Sequence, residues 1–512
     1  MQRGIGIIFW ASLYPFLAFY AHNVTESYYF ASIFSVMAVI FTLVLAVYFL
    51  GIKCLPKLSP ERIAVGLAFA IIASFSFHHV EFATAHIGIY LGTIKILIWT
   101  VIVLLALLSG LVLGRSGNAA KIIMAMIVGL NIIPFMTATS SLYNQFSHKQ
   151  SVDSMLSKDV SENSAQRNYP NVYWLILDMY SRHDVLKEYY DYDNMPFISA
   201  MRERGFYVSD HSYSNYQSTR LSLSTTLNMD YYLPVKEEMN PLSWQTKLQG
   251  GNRTVDKFRS LGYSYIHLEP GGNTLKTRCG GGEDLCVHGP QRGTFSLNEA
   301  HVGMMKMTPF YRILKNKKSN LFTFDFTTIE DIKSHIDPKK RRPFFAFMHI
   351  LSPHPPARFD SECNYRERTE WELLEYSDPQ ADKNYINDMK CLNQRVLDFV
   401  DWVKENDPEA LMIVQADHGR SVNSPEAEFT DDELVSKEHW HKSHAIFSSF
   451  RVPDNCKKGL YATMSPVNNF PFIFSCLENA EFRPLPDRKF VIHGKKEYKM
   501  FPEELYEIEN PY

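Results

Sequence analysis

Apolar residues crowd the first 140 positions of the chain; beyond them, short apolar runs alternate with amphipathic and polar stretches. Five early segments, roughly 5–21, 28–50, 63–78, 88–113 and 121–138, predict helices that cross a bilayer, whose hydrocarbon core is about 30 Å thick. The first and third are shorter and carry polar residues. A signal peptide is the rival reading of the first, but Tyr14, Pro15 and Tyr20 interrupt its apolar run and further spans follow it. Basic residues orient the spans: Arg3, then Lys53, Lys57 and Arg62, then Arg115 and Lys121 fall in alternate loops. Lys and Arg mark the cytoplasmic side, so the N-terminus is expected inside, and five spans put everything after about residue 140 outside.

Residues 141–169 are polar and read as a linker along the membrane surface, with helical pieces. From Pro170 the pattern changes to buried strands alternating with helices. NVYWLIL (171–177), FFAFMHI (344–350) and LMIVQA (411–416) are continuous apolar runs of strand length, as in a parallel sheet covered on both faces. Asn194–Gly205, TVDKFRSLG and Lys383–Asn406 read as helices, and FYV and YSYIHLE as strands. The expectation is an α/β fold: a five-helix transmembrane region at 1–140, a linker at 141–169, and an extracytoplasmic α/β domain with a mainly parallel sheet at 170–512.

Charge and cysteine usage refine this picture. A formal net charge of −3 over 512 residues gives no footprint for nucleic acid. Mean hydropathy is only −0.18, so the apolar N-terminal part is balanced by a polar remainder. Cys54 lies in a cytoplasmic loop and is expected as a free thiol, while the other six cysteines all fall in the outside domain. An even number in an oxidising compartment predicts three disulfides, and pairing of sequence neighbours gives 279–286, 363–391 and 456–476. Asn23-Val-Thr and Asn252-Arg-Thr match the glycosylation pattern. His78, His79, Glu81 and His86 form a His-rich extracytoplasmic loop, read as interfacial, with metal binding or the lining of a lipid entrance as alternatives and no metal-ligand spacing evident.

The candidate chemistry gathers at strand ends, where open α/β sheets bind ligands. Asp178 follows the first strand, Asp417-His418-Gly419 follows the strand at 411–416, and His349 and His354 lie at the end of the strand at 344–350 and in the turn after it. Adjacent Asp and His at a strand end make a metal corner, because both can reach one ion. In SNYQSTRLSLSTTLNM (214–229), Ser218 or Thr219 falls at a helix N-terminus. Such a hydroxyl caps the helix or, with a metal lowering its pKa, attacks phosphorus or sulfur. Ser222 and Thr226 follow Thr219 at three and seven positions, a spacing that Ser218 does not share. In KEHWHKSH, the spacing does not choose among His439, His441 and His444.

Strand–Asp178, Thr219 at a helix start, HILSPHPP and QADHGR, in this order, resemble the alkaline phosphatase superfamily and its sulfatase-like members. With the membrane spans they resemble the lipoteichoic acid synthase, phosphoglycerol transferase and phosphoethanolamine transferase group; the resemblance covers about 170–480 and closes with VNNFPFIFSCLE (467–478). It implies an alkaline-phosphatase-like α/β/α sandwich with Asp178, Thr219, Asp417 and His418 on a divalent ion. It implies Thr219, His354 and His444 as catalytic, with His439, His441 and Ser218 as alternates, and His349, Asn215 and Arg220 near the substrate. The activity implied is transfer of a phospho-substituent from a membrane phospholipid to an envelope glycan or lipid, in a multi-pass protein of a bacterial-type inner membrane. Hydrolysis of phosphate or sulfate esters on the same core, and an inactive membrane assembly partner, are the alternatives. Two departures matter: Tyr216 stands where arylsulfatases carry the Cys or Ser of their CxPxR or SxPxR box, and Met179 follows Asp178 where sulfatases carry a second Asp. Fewer hard oxygens favour Zn or Mn over Ca or Mg.

Overall fold

A computed structural model describes residues 1–22, 30–86, 92–156, 169–231, 247–270, 327–338, 343–355, 357–364, 379–420, 437–493 and 504–507, with short pieces between 277 and 323. The chain divides into two compact units. One comprises Met1–Ser147 with Leu297–Ser319, the other His148–Ser296 with Asn320–Tyr512.

The first unit is built from α1 (Gln2–His22), α2 (Phe30–Cys54), α3 (Pro60–Ser74), α4 (Phe77–His86), α5 (Gly92–Leu113) and α6, which starts at Gly117 and runs to Leu156. Four of these contain stretches long and apolar enough to cross a membrane: Gln2–Ala21, Val36–Cys54, Ile94–Leu113 and Gly117–Ser140. The expected third span falls short of that. It is α3, whose 15 residues reach only about 22 Å at 1.5 Å per residue. Ser59 caps its start by accepting the Arg62 N–H, and the chain turns at Phe75 before the short α4. The loop expected to hold His78 and His79 is therefore helical, with both side chains exposed.

α3 is the interior helix of this unit, burying Ile63, Ala64, Val65, Ala68 and Ile71. It meets α5 at Gly110, where a Cβ would lie 2.7 Å from the Val65 carbonyl oxygen and 2.8 Å from the Gly66 Cα. Small residues at such crossings let helix backbones approach without a water-driven force. Leu43, Val47, Leu104, Leu108 and Ile133 are exposed outward, an apolar surface suited to lipid rather than water. Residues from 297–319 also belong here: Met304 packs with Leu13, Phe16, Leu17, Tyr20 and Ala138, and the Phe77 N–H donates to the Met307 carbonyl at 3.0 Å.

The second unit is a three-layer sandwich. Its strands are β1 (Val172–Leu177), β2 (Tyr207–Val208), β3 (Ser264–Leu268), β4 (Leu285–Val287), β5 (Phe295–Ser296), β6 (Phe322–Thr323), β7 (Phe344–Ile350), β8 (Leu411–Gln415), β9 (Ser448–Arg451), β10 (Phe490–His493) and β11 (Glu504–Glu507). Seven form one sheet in the order β2-β9-β8-β1-β7-β3-β4. From β8 to β4 every pairing is parallel; β9 and β2 close one edge antiparallel. The covering helices are α7 (His183–Tyr190), α8 (Met195–Glu203), α9 (Thr219–Asn228), α10 (Arg253–Ser260), α11 (Ile329–His335), α12 (Pro379–Asn406), α13 (Lys437–His444) and α14 (Asn469–Glu478).

Alternation along β1 explains its unbroken apolar sequence. Tyr173, Leu175 and Leu177 enter the core under α8, α11 and α12, whereas Val172, Trp174 and Ile176 enter the one under α9, α10 and α14. Both faces are covered by helices, so apolar side chains are favoured at every position of β1. Trp174 stacks on Phe347 at 4.8 Å between ring centroids, and Phe258 of α10 stacks on Phe345 at 4.4 Å. Truncating a ring of this kind costs about 3–5 kcal/mol.

The three cysteine pairs join as the sequence suggests: Cys279–Cys286, Cys363–Cys391 and Cys456–Cys476, with Cys54 free and exposed. Asn252 is buried as the N-cap of α10, accepting the Val255 N–H at 2.8 Å and donating to the Lys247 carbonyl at 2.7 Å. Its amide is thus occupied, which removes its Asn-Arg-Thr motif as a glycosylation acceptor. Asn23 and residues 157–168 of the expected linker lie outside the described residues.

Candidate metal centre and nucleophile

Strand register brings the candidate ligands together. Ile176 of β1 pairs with His349 on β7 at one side and with Gln415 on β8 at the other. The three central strands therefore end level, and Asp178, the next residue after β1, and Asp417, two residues past β8, emerge on one edge. The Asp178 N–H continues the ladder by donating to the Ile350 carbonyl at 3.0 Å. Met179 then takes a left-handed conformation (φ 63°) and turns its N–H onto Asp417 Oδ1 at 3.2 Å. A non-glycine residue there is uncommon; here it locks the two strand ends to each other.

Asp178, Asp417 and His418 are buried and offer ligand atoms that all lie within 4.8 Å of one another. His418 Nδ1 donates to the Gly419 carbonyl at 2.8 Å, which leaves Nε2 with a lone pair. That atom lies 3.4 Å from Asp417 Oδ2, 3.8 Å from Asp178 Oδ1 and 3.3 Å from Thr219 Oγ1. His349 is fully buried, with Nε2 3.3 Å from Asp178 Oδ2 and Nδ1 2.6 Å from the Thr277 hydroxyl. Asp178 Oδ1, Asp417 Oδ2 and His349 Nε2 have no hydrogen-bond partner although buried. Polar atoms left so cost 1–3 kcal/mol each, more when charged. Of these, Asp178 Oδ1 and Asp417 Oδ2 lie with His418 Nε2 in one cluster, and two carboxylate oxygens with an imidazole nitrogen form a donor set that fits a borderline divalent metal. Two other groupings of His, Glu and Cys, around Cys279 and Cys286, are excluded as metal sites because both sulfurs are in a disulfide.

Burial alone would raise the Asp178 carboxyl, but the neighbouring imidazoles of His354, His349 and His418, His349 also by a hydrogen bond, override it and hold the group well below the usual carboxylate range.

Thr219 is the first residue of α9 and fully buried. The helix is pinned to the metal corner through Ser222, whose hydroxyl donates to the Asp417 carbonyl at 2.5 Å. Leu223 and Leu227 anchor its other side in the core. Ser218 takes the N-cap position in extended conformation, but its side chain makes no cap bond.

Other sequence candidates sit elsewhere. Asn215 does not face a ligand: its Oδ1 accepts the Val467 N–H at 3.0 Å, and its Nδ2 lies within reach of Ser465 Oγ (3.1 Å) and the Arg488 carbonyl (2.8 Å). It ties the nucleophile loop to two neighbouring segments, so its amide is spent on the fold. Arg220 is half-buried in the first turn of α9. His444 is fully buried, its Nε2 3.1 Å from the Phe490 carbonyl and its Nδ1 2.8 Å from Ser443 Oγ. Burial pushes it down to about 4, so it is neutral and held by the protein. His441 lies 3.1 Å from Asp184, beside Arg182. Burial and, after it, the Lys442 charge lower His439. Thr277, which orients His349, escaped the sequence reading because it lies in a segment with no periodicity.

The fold and this buried constellation define an enzyme of the sulfatase-like class. The chain belongs to the Sulfatase family, whose model matches residues 170–467. No curated protein matches the sequence. Among solved structures, the C-terminal periplasmic domain of EptC from Escherichia coli aligns at 12% identity and TM-score 0.39, covering 66% of this chain and 93% of that one. The integral membrane lipooligosaccharide phosphoethanolamine transferase A of Neisseria meningitidis aligns at 13% identity and TM-score 0.36, over 94% and 96% of the two chains. A protein of the alkaline phosphatase superfamily from Vibrio parahaemolyticus aligns at 14% identity and TM-score 0.40, over 68% and 81%.

Proposed function

We propose that this protein is a membrane transferase that moves a phospho-substituent, of the phosphoethanolamine or phosphoglycerol kind, from a phospholipid to an envelope glycan or lipid through Thr219. The observation that carries the reading is the Thr219 hydroxyl, buried and 3.3 Å from His418 Nε2, at the rim of a cluster of unpartnered ligand atoms. Asp178, Asp417, His418 and the Thr219 oxygen would hold the metal, with Zn or Mn suited better than Ca or Mg. When bound, such an ion lowers the pKa of a hydroxyl and neutralises charge on a phosphoryl oxygen.

The remaining steps belong to the chain. Thr219 Oγ, its proton released to solvent, attacks the donor phosphorus; the bond from phosphorus to the lipid oxygen breaks, and that oxygen takes a proton from His354 as the lipid alcohol leaves. The substituent is now esterified to Thr219. An acceptor hydroxyl then attacks the same phosphorus, its proton passes to a base, and Thr219 Oγ is released. His354, four residues past β7 and close enough for its charge to act on Asp178, is the residue we assign to proton transfer at the substrate oxygen. His349 holds Asp178 in place. Helices long enough to cross a bilayer give access to a lipid donor, and three disulfides in the second unit favour an oxidising, extracytoplasmic side.

Intact-mass measurement on the full protein in vesicles of phosphatidylethanolamine or phosphatidylglycerol tests this. A mass adduct is expected that maps to Thr219, is absent from Thr219→Ala, and matches one headgroup phosphate. Turnover by Thr219→Ala at the wild-type rate would overturn the assignment. Reporter fusions address the orientation: fusions after residue 55 should report cytoplasm and fusions after 145 the outside, which requires α3 and α4 together to make a fifth crossing beside the four long spans. A cytoplasmic signal at 145 would contradict transfer to the envelope.

A further inference from the structure

The turn that carries His354 is held by a buried carboxylate that belongs to a different element. Asp388, within α12, is fully buried. Its Oδ1 accepts the Ser352 hydroxyl at 3.1 Å, and its Oδ2 accepts the Arg358 N–H at 3.0 Å. These two partners stand on either side of His354 in the chain. Arg358 adds a second tie, its Nη1 donating to the His354 carbonyl at 2.8 Å. Inside the turn, the His354 N–H donates to the Leu351 carbonyl at 2.7 Å and His354 Nδ1 lies 2.6 Å from the Pro355 carbonyl. The Nδ1–H is therefore committed to the backbone, and Nε2 is the nitrogen that can take a proton.

A buried carboxylate is costly unless its partners repay it. A merely structural tie between α12 and a loop is made more cheaply by neutral groups. Here the charge grips both ends of one seven-residue turn whose middle holds a half-buried imidazole. The turn leaves β7 directly after Ile350, whose carbonyl receives the Asp178 N–H, so its position sets where His354 stands relative to the metal-binding edge.

We propose that Asp388 is a positioning residue that clasps the 352–358 turn and sets the reach of the His354 imidazole to the substrate oxygen. The proposal rests on the assignment of His354 above. It requires that Asp388 act only through His354, which a double-mutant cycle detects.

The experiment uses the full-length protein in detergent and a chromogenic 4-nitrophenyl phosphodiester as probe, with metal content and thermal midpoint measured in parallel. Asp388→Ala should lower kcat about tenfold, since displacement of a reacting group by an ångström or less costs factors of this order. KM and bound metal should stay unchanged. In a His354→Ala background, Asp388→Ala should cause no further loss of kcat. Asp388→Asn keeps the shape and one acceptor oxygen, so it should fold, lose less activity, and show the same non-additivity. Equal losses in both backgrounds, or no loss from either Asp388 variant, would overturn the clasp while leaving the site reading intact. Full activity of His354→Ala alone would overturn the reading of the site, and the clasp with it.

Discussion

Two histidine-bearing regions of this protein look alike in sequence and behave differently in the fold. In the first, the ends of β8, β1 and β7, the Nε2 atoms of His418 and His349 both turn to Asp178, that of His418 to Oδ1 and also to Asp417, that of His349 to Oδ2. In the second, α13 (Lys437–His444), three histidines crowd into eight residues, yet each has its own surroundings. His441 faces Asp184, and His444 sits between the Phe490 and Trp440 carbonyls. The difference lies in geometry. Parallel strands in register deliver residues from distant parts of the chain to one edge, whereas successive positions on a helix point around its axis. Proximity in sequence makes a metal site only where the backbone bends to converge, as it does at Asp417-His418.

The largest effect should come from the strand ends. Asp417→Asn removes an anionic ligand and weakens the acceptor that receives the Met179 and His418 N–H groups at 3.2 and 2.9 Å. Bound metal should fall in step with turnover, the latter by roughly a thousandfold or more, as for loss of a major electrostatic stabiliser. The fold should persist, because the side chain caps a strand end and packs no core. Metal analysis and kinetics on the purified variant check this; full metal with full activity would dissolve the contrast between the two regions.

A smaller effect is expected from α13, and it should appear in stability before activity. His444 titrates at about 4 in the folded protein against 6.5 for an ordinary imidazole. Protonation therefore favours the unfolded chain. Above pH 6.5 the group is neutral in both states and its contribution is complete; as pH falls from 6.5 toward 4 that stability is lost. His444→Gln removes this titration. The difference in thermal midpoint between wild type and variant should shrink across that window, and metal content should not change. A variant that loses metal would place His444 with the strand-end ligands after all.

How much of this was legible in the sequence follows from the same contrast. The apolar runs of β1, β7 and β8 were visible because strands buried on both faces are nearly all apolar, and their ends marked Asp178, His349 and Asp417. The disulfides were legible from pairing of neighbours. The length of α3 was not, because the apolar pattern runs through Phe75 while the helix stops there. The role of Asn215 was hidden as well. An asparagine before a nucleophile reads as substrate-binding, and only the folding of Val467 and Arg488 onto it shows its amide to be consumed. Asp388 was invisible for a related reason: it stands on a helix far from the turn it holds, and spacing carries no signal for that contact.

The smallest expected effect separates two adjacent hydroxyls. Ser218 and Thr219 both stand where α9 begins, and composition alone makes each a cap or a nucleophile. Ser218 is the N-cap, with φ −132° and ψ 142°, and its carbonyl accepts the Ser222 N–H at 2.9 Å. Its hydroxyl makes no cap bond, so little is lost when it is removed. Ser218→Ala should change stability by within about 0.5 kcal/mol, the range of substitutions that break no specific contact, and leave turnover as it was. Thr219 differs by one position and by its hydroxyl's approach to His418 Nε2 at 3.3 Å. Thr219→Ser keeps the hydroxyl and should retain part of the activity, while Thr219→Ala should retain none. Thermal midpoints and kcat on the three variants measure the contrast at its finest grain. A Ser218→Ala protein as inactive as Thr219→Ala would mean that the helix start, rather than the one hydroxyl beside His418, carries the chemistry.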